Sequence, residues 1–177
     1  TVQEMGEIRY REMQDVSRVL DLTGMRVTDL PDSGLAAIDP RSIENVIADE
    51  LDRLRPEVTV TYPVHGISGF HDHLVTHATV KRSWLECRES MPELKRLAFI
   101  AITQTDADTM SGPFKLSGTP QEEIDCITES SAGDIARARS ALDCYVTFRE
   151  TIEKTGIRDF KRSTCYFDFF GEWFDPP

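Results

Sequence analysis

All four histidines of the chain, His65, His71, His73 and His77, fall within thirteen consecutive residues, with Asp72 among them. Imidazole is both a common zinc ligand and the side chain that titrates near neutrality, so such a gathering points to a metal or acid/base site. His73 and His77 are four apart, a spacing that puts both on one face of a helix and lets them share a metal, as in HExxH sites. No Glu follows His73, so that mechanism lacks its base. His77 also continues a stripe with Val80 and Trp84, which suits a packed histidine, whereas His73 sits in a first turn beside a loop. The competing reading gives each ring a separate structural role, with His65 in a turn, His71 as a cap and His77 in the core.

The elements around this cluster decide where it lies. VTVTYP (58–63) is rich in β-branched residues and predicts a strand. The loop VHGISGF follows, and then a helix from about His71 to Arg88 with Leu74, Ala78 and Leu85 on one stripe. The histidines therefore fall at the carboxyl end of a strand, where open α/β sheets bind ligands. Upstream, Glu4 to Leu22 predicts an amphipathic helix ended by Thr23-Gly24, and MRVTDLP (25–31) a short strand before the turn Pro31-Asp32-Ser33-Gly34. Asp39-Pro40 opens a helix whose apolar face is Ile43, Val46, Ile47, Leu51 and Leu54.

Downstream, LAFIAIT (97–103) predicts a parallel strand buried on both faces, and Gln104–Pro120 a long loop. A strand through Ile124–Ile127 and one helix from Asp134 to about Lys154 come next. The aromatic tail RSTCYFDFFGEWF must pack on something, as core closure or as a subunit contact, which leaves a homo-oligomer open. Helices alternating with strands predict an α/β sandwich with a mostly parallel sheet, here a single domain over 1–177.

Composition narrows the function classes. A net charge of −11 and a pI near 4.8 repel phosphate backbones and anionic lipid, so neither nucleic acid nor a membrane surface is expected as a partner. No apolar run approaches the roughly 18 residues needed to cross a bilayer. Cys87, Cys126, Cys144 and Cys165 form no CxxC pair, and no basic-then-apolar leader precedes them, so reduced thiols in a cytoplasm are expected. No GxGxxG or GxxxxGK[ST] appears, which argues against a nucleotide-binding protein. The chain opens with TVQEMGEIRY, a helix where a parallel sheet ordinarily opens with a strand. A preceding strand is therefore expected to be missing from these residues.

At G-F-H-D-H (69–73) the sequence resembles the G-H-P-D-H motif of LmbE-like, PIG-L-type zinc N-deacetylases. Residues 55–62, R-P-E-V-T-V-T-Y, are similar to that family's R-P-D-V-V-x-T strand. Ile8-Arg9-x-x-Glu12 resembles its I-R-x-x-E, Asp32-Ser33-Gly34 its D-S-G turn, and Ala141-Leu142-x-Cys144-Tyr145 its late helix. The resemblance spans essentially all 177 residues.

It implies a Rossmann-like three-layer metalloenzyme that removes the N-acetyl group of an amino-sugar-like small molecule, with Zn2+ or another divalent metal as cofactor. In such a reaction the metal lowers the pKa of its bound water and polarises the carbonyl, while a carboxylate takes the proton. Carried over by position, His73 is the metal ligand, Asp72 orients an imidazole or tunes the site, and Arg9 and Asp32 hydrogen-bond a sugar. Two plainer readings stand beside these: a surface Arg9–Glu12 pair, and an ordinary turn at Asp32. The family's leading His aligns with Phe70, and His71, one position later, is the candidate acid. The family's A-H-P-D-D-E, which supplies a His ligand, an Asp ligand and the base, does not occur here. It is expected upstream, and the enzymatic reading depends on it. The alternative is a catalytically inactive member that serves as a carbohydrate-binding or scaffold protein.

Overall fold

In the computed structural model, which describes residues 1–110, 114–159 and 163–172, local chemistry starts most of the elements where the sequence places them. Asp39 accepts a hydrogen bond from the Arg41 N–H and Pro40 takes the first helical position, so α2 runs Pro40–Leu54. The β-branched run gives β1, Val58–Thr61, and α3 spans His71–Cys87. Contacts along the chain divide it into two compact units. One is Thr1–Asp29 with Glu129–Thr164, and the other is Leu30–Met110 with Phe114–Thr128 and the chain from Cys165.

The sheet departs from expectation in direction. β1 runs parallel to β2 (Arg96–Ala101), with Val58 opposite Arg96 and Thr61 opposite Phe99. The aromatic tail forms a strand, β4 (Thr164–Phe169), which lies between β2 and β3 (Cys126–Glu129) and is antiparallel to β2. The sheet is therefore mixed, in the order β1-β2-β4-β3, and the mostly parallel reading is corrected. An all-apolar strand such as β2 is buried on both faces whichever way its second neighbour runs, so its composition could not report direction.

The core of the second unit is Leu51, Trp84, Met91, Leu94, Leu97 and Phe99, with Ile47, Val80, Cys87 and Phe170 packed against it. Phe170 closes this cluster edge-on to Trp84, so the tail as far as that residue serves the core. Trp173 and Phe174 lie outside the described residues. The expected loop after β2 begins instead with a short helix, α4 (Gln104–Thr109), capped by the Thr103 hydroxyl accepting from the Asp106 N–H. Residues 25–31 join no strand. Alternation alone does not make a sheet.

In the first unit α1 (Val2–Leu20) ends at Asp21, which adopts the left-handed conformation with φ 54°. Its stop therefore precedes Thr23-Gly24, because Asp tolerates that conformation. The single helix expected over 134–154 is two helices, α5 (Ala132–Asp143) and α6 (Arg149–Thr155). The interruption has a specific cause. The carboxylate of Glu12, 5% exposed, accepts from both the N–H and the hydroxyl of Thr147, each at 2.7 Å. One residue on, the Arg9 guanidinium lies 4.4 Å over the Phe148 ring. The backbone donor at 147 thus serves a carboxylate rather than a helical ladder. A hollow of about 260 Å³ adjoins the break, lined by Leu142, Tyr145, Arg149, Ile152 and Arg158 among others.

Among the described residues no helix is long and apolar enough to cross a membrane. The four cysteines are partly buried and not disulfide-bonded.

Two stability measurements test this account. Glu12→Ala strands two donors of Thr147 in a buried setting and should cost about 1–3 kcal/mol in urea unfolding, with a coupling to Thr147→Val in a double-mutant cycle. Asp168, opposite Phe99 in the β2–β4 register, has its carboxyl pushed up to about 6 by burial first and then by Asp125 and Glu123, with Lys81 acting the other way. The folded protein thus holds that proton more tightly than the unfolded chain does. The stability this group contributes is full below the ordinary carboxylate pKa and is lost as pH rises through about 6. Asp168→Asn should accordingly raise the melting temperature relative to the parent above pH 6, with the gain shrinking toward pH 4.

Candidate functional site

Past β1 the backbone makes two consecutive left-handed residues, Gly66 at φ 63° and Ile67 at φ 61°. For β-branched Ile this is a strained conformation, of the kind that concentrates where geometry is tightly specified. Gly66 is required by contact as well as by φ: a Cβ there would lie 2.9 Å from the Cβ of His73 and 3.1 Å from Leu74. The Ile67 carbonyl accepts from the Ser117 N–H at 2.7 Å, which ties the loop to a second segment. α3 then starts with Phe70 as its N-cap, and the Phe70 carbonyl accepts from the N–H groups of His73 and Leu74.

This loop selects the tautomer of His73. Nδ1 lies 2.9 Å from the Gly66 carbonyl oxygen and 3.1 Å from the Ser68 hydroxyl. A carbonyl only accepts, so Nδ1 carries a proton, and in the neutral ring Nε2 keeps its lone pair. The ring stacks on Tyr62 at 4.0 Å, nearly coplanar at 10°, and meets the Phe70 ring edge-on at 5.7 Å. A metal-binding imidazole characteristically donates its other N–H to a backbone carbonyl in this way, fixing tautomer and ring plane together.

The remaining candidates separate by their partners. His77 is 7% exposed, bonds the Tyr62 carbonyl through Nδ1 at 2.8 Å and packs on Phe99, which makes it the packed histidine its stripe suggested. His65 accepts the Ile67 N–H on Nδ1 at 3.2 Å, a turn contact, and burial lowers its pKa. His71 is exposed in the first turn of α3. It does not cap the helix; Phe70 does.

Asp72, expected to orient an imidazole or tune the site, accepts on Oδ1 from the Leu35 N–H at 3.2 Å. That bond holds the 3-10 turn Leu35–Ala37, and so the Asp32-Ser33-Gly34 turn before it, against the start of α3. The structure thereby joins two motifs that lie 37 residues apart, a link no local pattern revealed. Asp32 itself is exposed, and Ser33 takes φ 58°. Arg9 belongs to the other unit, where it covers Phe148. Glu12, treated in the sequence only as its neighbour, is the buried member of that motif.

Catalytic zinc takes three protein ligands. Among the described residues no group of three or more His, Cys, Asp or Glu side chains is placed to hold a metal. One correctly protonated donor is in place at His73, and by themselves the described residues do not fit the ion.

The loop account makes a direct prediction. Gly66→Ala should lower the melting temperature and move the His73 ring resonances, since the added methyl displaces the carbonyl that holds Nδ1; Gly24→Ala, with open space around its Cβ position, should leave those resonances in place.

No curated protein matches the chain. The family model described as PIG-L: GlcNAc-PI de-N-acetylase matches residues 1–84. The similarity drawn from Ala141 to Tyr145 lies beyond that stretch. The stretch from α1 to Trp84 in α3, which holds all four histidines and the Asp32 turn, is similar to that family model.

Proposed function

We propose that the chain acts in removing the N-acetyl group from an amino-sugar-like small molecule, with zinc or another divalent metal as cofactor and His73 as one of its ligands. The match to the PIG-L family suggests deacetylase-type activity on GlcNAc-like substrates. The observation that carries the reading is the tautomer of His73: Nδ1 engaged by the Gly66 carbonyl, Nε2 left as a donor in a ring held flat on Tyr62.

Around it the chain's own groups take roles that amide hydrolysis requires. His71, exposed one position before Asp72, is the candidate to hold the proton that the leaving amine takes up. Asp72 acts through the backbone, holding the turn that presents Asp32 to a sugar hydroxyl. Arg9 is assigned to substrate by the family motif, in addition to its contact with Phe148.

The test uses the native full-length protein, its metal content by mass spectrometry and deacetylation of N-acetylglucosamine conjugates. Removing groups that merely support a metal ligand costs 10–100-fold, so His73→Ala should lose at least about a hundredfold in activity together with bound metal. Unchanged metal content and activity in His73→Ala would refute the proposal. Sugar binding by a metal-free protein that hydrolyses no amide would instead identify a non-catalytic carbohydrate-binding protein.

A further inference from the structure

We infer that Phe70 and Phe114 form a platform beside His73 for the apolar face of a pyranose ring, an inference that rests on the deacetylase reading and names how its substrate is held. The two rings are 47% and 41% exposed, unusual for phenylalanine, and meet edge-to-face with centroids 4.8 Å apart. Phe70 also meets the His73 ring edge-on, so the pair adjoins the candidate metal ligand. Neither ring is on a loose end. Phe70 occupies the N-cap position of α3, and the segment carrying Phe114 is tied to the strained loop by the Ser117–Ile67 bond and to Thr103 through Thr119.

Leaving two aromatic rings in water is costly unless something covers them. Their size limits what that is. Two such side chains bury at most about 500 Å², whereas a stable protein interface needs about 800 Å² on each side. The flanking residues Gly69, His71, Lys115 and Ser117 are exposed, and none of them is a large apolar side chain. A pyranose suits this patch. Its C–H face stacks on one ring while the second ring, turned by 67°, forms a wall, and its polar rim remains free to bond. At position 70 a hydrophobic ring stands where the motif it resembles has a polar one, so the substitution adds binding surface where it removes a titratable group.

Saturation-transfer NMR on the native protein with methyl N-acetyl-β-glucosaminide tests this without requiring turnover. Ring C–H protons should receive saturation. Phe70→Leu and Phe114→Leu, which keep apolar volume, should weaken binding by about two- to tenfold at unchanged melting temperature. His73→Ala should leave the ring contact intact. Wild-type affinity in both leucine variants, saturation confined to the acetyl methyl, or no binding to the parent would each overturn the platform. Ring binding without any hydrolysis would overturn the deacetylase reading and leave the platform standing.

Discussion

Helix α3 reaches backward onto the chain that precedes it, and the geometry of the histidine cluster depends on those contacts. His73 holds the Gly66 carbonyl, His77 the Tyr62 carbonyl and Asp72 the Leu35 N–H. Each such bond is worth on the order of 1 kcal/mol net. Together with the close approach of Gly66 to the helix they offset the left-handed Ile67, a strain of about 1–3 kcal/mol. The same contacts divide the rings by role. A histidine whose Nδ1 faces a carbonyl oxygen presents a lone pair at Nε2, and one whose Nδ1 faces an amide presents a proton there. His73 is of the first kind and partly exposed, while His65 is of the second.

What could be read from the sequence follows the range of the interaction that decides each element. The start of α2 was legible because Asp39-Pro40 acts within one turn, and β1 because β-branched residues prefer extended backbone. The capping signal of α4 was equally local, Thr103 with Asp106 three residues on, and was lost in a stretch rich in glycine and proline. Other features were beyond local reading. The break between α5 and α6 is made by Glu12, 135 residues away from Thr147. The direction of β4 depends on which strand the tail meets, and residues 25–31 alternate as a strand does yet form none.

The candidate site divides along the same line. Its location at the end of β1 and the packed role of His77 were legible, the second from the stripe shared with Val80 and Trp84. The carbonyl that fixes the His73 tautomer was not, since it depends on two successive left-handed residues, one of them a residue type that avoids that conformation. Nor was the engagement of Asp72 by Leu35, which makes that carboxylate a link between motifs. The contacts of Arg9 with Phe148 and of Glu12 with Thr147 were not legible either, because those residues come from far along the chain.

That distance bears on how the molecule is born. α1 leaves the ribosome ahead of the other helices and strands described, yet the hydroxyl and amide that Glu12 requires are translated 135 residues later, a delay of roughly 7–27 s at ordinary elongation rates. Throughout that interval the nascent helix has a carboxylate at the centre of its future buried face, where an aliphatic side chain would invite aggregation. Residues 30–110, with α2, α3, β1 and β2, are complete well before the partner arrives. Helix α1 is thus synthesised early and satisfied late, and its charge keeps it hydrated while it waits.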